Sequence, residues 1–171
     1  MRCAYLTTMK INHFAGMVAL TVFLAGCSAS ASGTKFKDSS FVIQRVADDK
    51  GRVIFYREAD TNFRWVTLGI DRSIVGALAQ SGFIVADIAP GDHSLSAWLR
   101  YMPGEFAIRL MVSAGETYYI RASRRAERML YSAFGGIGGV LLLADTKGEF
   151  QLEPVPAAIA SVDLEELRLS E

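Results

Sequence analysis

The strongest constraint on the fold is a two-residue apolar rhythm, cut at short intervals by turns that hold glycine or proline. Across Glu105–Val112, Phe106, Ile108, Leu110 and Val112 fall on one side of an extended chain and Glu105 and Arg109 on the other. That is the pattern of a strand with one buried face. Residues 93–100 (HSLSAWLR) place Leu95, Ala97 and Leu99 together, opposite Ser94, Ser96 and Trp98. Gly82–Ile88 sets Phe83 and Val85 against Ile84 and Ile88, and residues 52–57 (RVIFYR) and 117–121 (TYYIR) are dense in β-branched and aromatic residues. Such residues fit a pleated, packed surface. Between these runs, Ala89-Pro90-Gly91-Asp92 and Met102-Pro103-Gly104-Glu105 put proline and glycine at the two central positions that a type II turn favours. Ser113-Ala114-Gly115-Glu116 and Asp49-Lys50-Gly51-Arg52 supply further turn glycines. Strands joined by turns rather than helices predict a mainly β fold: an antiparallel β-sandwich of the Ig-like or transthyretin-like kind, or an open barrel, with one or two short helices.

Three segments depart from the rhythm. Residues 123–134 (SRRAERMLYSAF) space Ala126, Met129, Leu130 and Phe134 as a helical stripe, with Ser123 placed to cap it. Residues 161–169 suggest a short amphipathic helix through Val162, Leu164 and Leu167, with a final strand as the alternative. Between them, residues 135–144 (GGIGGVLLLA) read as a close-packed bend entering a buried strand. Ten apolar residues fall short of a membrane-spanning helix, and a bent backbone in lipid leaves amides unpaired.

The amino-terminal region has a different character. Residues 14–26 (FAGMVALTVFLAG) carry no charge and follow Lys10, a run too short to span a bilayer and shaped like a secretory signal. Met9 offers a second possible start. The run ends in Leu24-Ala25-Gly26-Cys27, which resembles the lipobox of bacterial lipoproteins. The resemblance implies cleavage between Gly26 and Cys27, a diacylglycerol on the Cys27 sulfur and, in most Gram-negative species, acylation such as palmitate on the new terminus. Ser28 in place of aspartate implies export to the outer membrane. With Cys3 removed and Cys27 lipidated, the mature domain has neither thiol nor disulfide. All 18 acidic residues but only 16 of 18 basic ones then remain, because Arg2 and Lys10 leave with the signal, giving a net charge of −2. The expected organisation is a signal at 1–26, a lipidated flexible tether at 27–40 and one β-sandwich domain at 41–171.

Residues 50–122 resemble a family of small bacterial lipoproteins described as domain of unknown function 2846. The matching stretches are RVIFYR, LGIDRSIVGALAQSGFIVADIAPGDHSLSAW and AGETYYIRAS. The resemblance implies a small sandwich akin to PEGA-type and transthyretin-like domains, and it implies no catalytic or ligand residues. Where such domains often carry glycine after the turn aspartate, this chain has Asp71-Arg72, so its turn must be of another type or length.

The catalogue of reactive groups is thin. His93 is the one histidine after the signal; it is a base candidate with Asp92 or Asp87, against the plainer reading of a strand-start histidine bonded to a carbonyl. One histidine and no free cysteine argue against zinc. No nucleophile elbow or phosphate loop is present, and GGIGGV lacks the flanking strand and helix of a dinucleotide site. Glu165-Glu166 reads as a solvated helix face. Arg121, Arg124, Arg125 and Arg128 form a candidate anion- or partner-binding cluster, with Arg124 and Arg128 one helical turn apart if the segment is a helix. Of Tyr118-Tyr119, one ring is expected in the core and the other toward a surface, and Trp65 and Trp98 are expected in core or interface positions. The functional expectation is a non-enzymatic binding or accessory domain, lipid-anchored on the periplasmic face of the outer membrane, with no cofactor or metal. Its expected partner is an envelope protein or polysaccharide and not nucleic acid. The alternatives are a carrier of a hydrophobic ligand and an envelope hydrolase without a recognisable motif.

Overall fold

A computed structural model describes residues 30–40, 44–125 and 148–170 of the chain. Nine strands form two facing sheets: β1 (Gly51–Arg57), β2 (Val66–Ile70), β3 (Ser73–Leu78), β4 (Gly82–Ile88), β5 (Gly91–Leu99), β6 (Glu105–Val112), β7 (Thr117–Arg124), β8 (Phe150–Val155) and β9 (Arg168–Leu169). One sheet runs β8-β7-β1-β4-β9 and the other β3-β2-β5-β6. The fold is the β-sandwich expected from the alternation. The smaller sheet is wholly antiparallel. The larger is mixed, because β1 pairs parallel with β7 and β4 parallel with β9.

The lack of alternation in RVIFYR now has a reason. Every residue of β1 is buried, as befits a central strand covered on both faces. Val53 and Phe55 enter the core between the sheets, with Val66, Leu68, Leu95, Ala97, Leu99, Ile120 and Leu152. Ile54 and Tyr56 face the other way, into a second cluster with Phe83, Ala160, Leu164 and Leu167. That second layer is covered by α1 (Ala157–Leu164), which follows Pro156, a residue tolerated at a helix start because it has no amide to lose. The helix begins earlier than the sequence suggested, and its buried positions are Ala160 and Leu164, while Val162 is 72% exposed. The strand alternative is also realised, as β9 just beyond it. Tyr118 and Tyr119 do point to opposite sides, yet both rings pack, one on each cluster, because this sheet has no bare face at that point.

Two expectations are corrected, and others fall outside the described residues. Ser123 does not cap a helix: it lies in β7, paired with Gln151 of β8. Residues 126–147, with the rest of the expected helix, Arg128 and the glycine-rich stretch, lie outside the described residues, as do the signal and Cys27. Residues 30–40 are not a free tether. The Ala31 amide donates to the Gln80 carbonyl at 2.9 Å, that of Gly33 to Leu169 at 3.2 Å and that of Phe36 to Leu167 at 2.9 Å. The Phe36 ring packs edge-on against Phe83. Glycine and serine composition suggested a linker, but small side chains also permit close docking on a sheet edge.

The turn at Asp71-Arg72 is a two-residue hairpin between β2 and β3, with φ of 49° and 68°. This is the mirror-image turn whose twist suits a hairpin, here made without glycine. The Pro90-Gly91 turn carries the chain from one sheet to the other, with Gly91 at φ 144°.

Candidate functional site

His93 lies at the end of the sandwich that carries the Asp71-Arg72 turn. Its Nδ1 is 2.6 Å from Asp71 Oδ2 and its Nε2 is 2.8 Å from the Ala89 carbonyl. Both partners are acceptors, so the arrangement suits an imidazolium that donates from both nitrogens. The hydrogen bond that His93 donates to Asp71, opposed by burial and aided by the Ala89 carbonyl, raises the His93 pKa. Asp71 is in turn held low, first by the Ser94 amide and then by His93. A histidine engaged at both ring nitrogens is a clasp that ties the β2–β3 turn to β5, with neither nitrogen left open to a substrate. The two carboxylates named with it are engaged elsewhere. Asp87 receives a bidentate pair from Arg52, at 2.7 and 2.8 Å, which lowers its pKa. Asp92 pairs with Arg109.

The arginine cluster is dispersed by the strand. Arg121 and Arg124 are an odd number of residues apart on β7, so their side chains leave opposite faces. Arg121 sits 3.1 Å from Glu153 and 3.7 Å from Asp163, and Asp163 also accepts from the Tyr56 hydroxyl at 2.8 Å. This network fastens α1 to the sheet, and the buried Tyr56 phenol is pushed well above its ordinary pKa by burial and by Asp163. Arg124 pairs with Glu149 at 3.0 Å and donates to Thr61, while its Nε is buried without a partner. Arg125 donates to the Gly148 carbonyl. None of the three stands in a shared, open patch.

A different surface has the features of a binding site. On the outer face of the smaller sheet, Ala77, Thr67 and Trp98 form one cross-strand row, the floor of a groove of about 890 Å³. Its walls are Arg64, Trp65, Ile74, Arg100, Tyr101 and Met102. The Trp98 ring lies across Gly69, where a methyl group would stand 3.0 Å from Cζ3 and 2.8 Å from Ser96 Oγ; glycine leaves the indole its bed. Ile74 is brought into place by a bulge, since the β2–β3 register shifts between Leu68 and Gly69.

The rim is held by buried charge. Arg57, 1% exposed, binds Asp60 through Nε and Nη2 at 2.9 and 2.8 Å and the Arg64 carbonyl through Nη1 at 2.7 Å. Its guanidinium lies 4.8 Å from the centre of the Phe150 ring. That grip fixes the path of residues 58–65, so that Phe63 and Trp65 stand out at 66% and 40% exposure. Across the groove, Tyr101 has φ 67°, an uncommon state for a bulky residue, and is 89% exposed, with Arg100 stacked 5.2 Å over its ring. Among the described residues neither Arg64 nor Arg100 has a carboxylate partner, and no acid lines the groove. Flat aromatic faces beside two unneutralised guanidiniums suit an apolar or ring-bearing ligand with a negative group.

Composition singled out the two tryptophans, but Arg64, Ile74, Arg100 and Tyr101 went unremarked. The available signal was Trp98 itself, on the face opposite Leu95, Ala97 and Leu99. A large aromatic on the polar side of an amphipathic strand calls for a partner. Among the described residues no group of three or more metal-ligating side chains occurs, and no helix is long and apolar enough to cross a membrane. In comparison with known proteins, the chain matches no family model and no curated sequence.

Proposed function

We propose that this chain is a cell-envelope lipoprotein, anchored by acylated Cys27 on the periplasmic face of the outer membrane, whose sandwich is a non-enzymatic binding or accessory domain. Kinship with the domain of unknown function 2846 belongs to the same proposal. The observation that carries the binding reading is the groove of Trp65, Trp98, Tyr101, Arg64 and Arg100, which combines stacking faces with two guanidiniums that have no carboxylate partner among the described residues. Its walls offer shape and charge for recognition, while His93, the side chain best suited to proton transfer, is spent on a structural clasp. An envelope protein or polysaccharide partner fits this surface.

The anchor is tested by labelling cells with a fatty acid. Wild type takes up label and fractionates with membranes, and Cys27→Ser does neither; an unlabelled wild type sinks the anchor. The groove is tested by placing a photocrosslinker at Ile74, which is 70% exposed at the groove edge. Adducts that persist unchanged in a Trp65→Ala/Tyr101→Ala variant remove the groove from the account. The second reading, a carrier of a hydrophobic ligand, is favoured by the apolar floor, and native mass spectrometry of gently extracted protein decides it by the presence or absence of a bound lipid-sized mass.

A further inference from the structure

Ser30, the first described residue, and the loops that wall the groove are at the same end of the sandwich. Ser30 forms a parallel bridge with Gln80, and the Gln80 carbonyl accepts from Ala31. The Gln80 side chain reaches the Asp60 carbonyl, on the loop that Arg57 grips and that ends in Arg64 and Trp65. Gln80 also closely follows β3, whose Ala77 belongs to the groove floor. Whatever path Ser28 and Ala29 take, covalent geometry allows about 3.5 Å per residue. Cys27 therefore lies within about 11 Å of Ser30, three residues on. An acyl chain inserted at Cys27 thus draws this end of the sandwich to the bilayer surface.

That end carries a particular set of side chains. Phe63, Trp65 and Tyr101 are exposed aromatic residues, and Arg64 and Arg100 stand beside them without carboxylate partners among the described residues. Tryptophan and tyrosine favour the headgroup region of a membrane, and arginine pairs with lipid phosphates there. The mature chain as a whole carries a net charge of −2, so this local positive rim is not a reflection of overall charge. We infer that the occupant of the rim is the anionic phospholipid surface into which the Cys27 lipid inserts, so that the domain docks face-on to the membrane instead of swinging on a tether. This inference rests on the lipid-anchor reading and identifies the partner of the same groove.

The test uses the protein isolated from membranes, with intact-mass analysis reporting acylation independently. A Trp98→Phe variant leaves Trp65 as the single tryptophan of the mature chain, excited selectively at the red edge where tyrosine does not absorb. It is reconstituted in vesicles of phosphatidylcholine containing one third phosphatidylglycerol, with and without bromine on the acyl chains. Docking predicts that brominated vesicles quench Trp65, that quenching falls in vesicles of phosphatidylcholine alone, and that Arg64→Ala/Arg100→Ala weakens the docking equilibrium by about 30-fold. Both arginines are exposed and the Arg57 bond is to the Arg64 backbone, so the variant keeps the fold, which an unchanged Tm verifies. An acylated chain whose Trp65 is unquenched, or quenched equally with and without the arginines, overturns the inference and leaves the anchor standing. Emission indifferent to brominated lipid but shifted by soluble peptidoglycan fragments overturns it in favour of a glycan. An unacylated mass removes the anchor, and docking then fails with it unless added vesicles still quench Trp65.

Discussion

Replacing Asp60 by alanine tests whether buried charge organises the groove rim. Arg57 is 1% exposed and loses its one carboxylate partner among the described residues in this variant, keeping the carbonyls of Asn62 and Arg64 and the face of Phe150. Removing one member of a buried ion pair costs about 3–5 kcal/mol, because the remaining charge is stranded. Two carbonyl acceptors and a ring soften that penalty, which places Asp60→Ala near the lower end, about 3 kcal/mol. For a domain of this size each kcal/mol moves Tm by about 2–4 °C, so the midpoint should fall by on the order of 10 °C. Calorimetry or circular dichroism measures this. The control is Glu166→Ala, which removes a surface pair with Lys35 in which Glu166 is 71% exposed; exposed pairs contribute little. Alanine at 60 also deletes the acceptor for the Asn62 amide, so Arg57→Met/Asp60→Ala is needed as well. An apolar side chain of similar length removes the stranded charge, and the double variant should regain most of the loss. A fall in Tm for Asp60→Ala no larger than that for Glu166→Ala refutes the reasoning. So does a double variant no more stable than Asp60→Ala alone.

Three further outcomes follow from the same geometry. His93 has a raised pKa, so its contribution to stability is complete below the ordinary imidazole value of about 6.5 and is lost as pH rises through the folded value. Asp71 has a lowered pKa, and its contribution is lost only as pH falls through that depressed value; proton resonances of the imidazole should titrate late in wild type and near the ordinary value in Asp71→Asn. Leu164→Ala should lower stability by about 2–4 kcal/mol in denaturant titration, since Leu164 is fully buried, whereas Val162→Ala, on the 72% exposed side of the same helix, should leave the midpoint in place; equal losses would mean that α1 is seated on another face. Gly69→Ala should displace the Trp98 ring, which stands 3.0 Å from the added methyl group, and shift tryptophan emission in the free protein; an unchanged spectrum would show that the indole does not rest there.

The strands with one wet face were legible because alternation records one buried side, and β5, β6 and both sides of β4 stand as the pattern placed them. Residues 73–78 were harder to read. They lie on an edge strand with a bulge, and Gly76 and Ile74 break the two-residue phase. Residues 123 and 124 carry both a cap-like serine and a helix-like arginine spacing, and local propensity lost there to the ladder that β7 makes with β8. The stripe through Val162 failed for a related reason: the face a short helix buries is chosen by the sheet beneath it. The candidate groove was half visible, through its tryptophans.

By itself the sequence determined β1, β4, β5, β6, the first part of β7 and the sandwich class, because period and turn chemistry are properties of neighbouring residues. Only the tertiary structure decided that residues 30–40 lie docked along β4 and β9, that β1 is covered on both faces, and that Arg64, Trp65, Ile74, Trp98, Arg100 and Tyr101 share one groove. Those residues come from two strands and two loops. What unites them is sheet register and the hold of a buried guanidinium, which join positions far apart in the chain and leave no periodic trace along it.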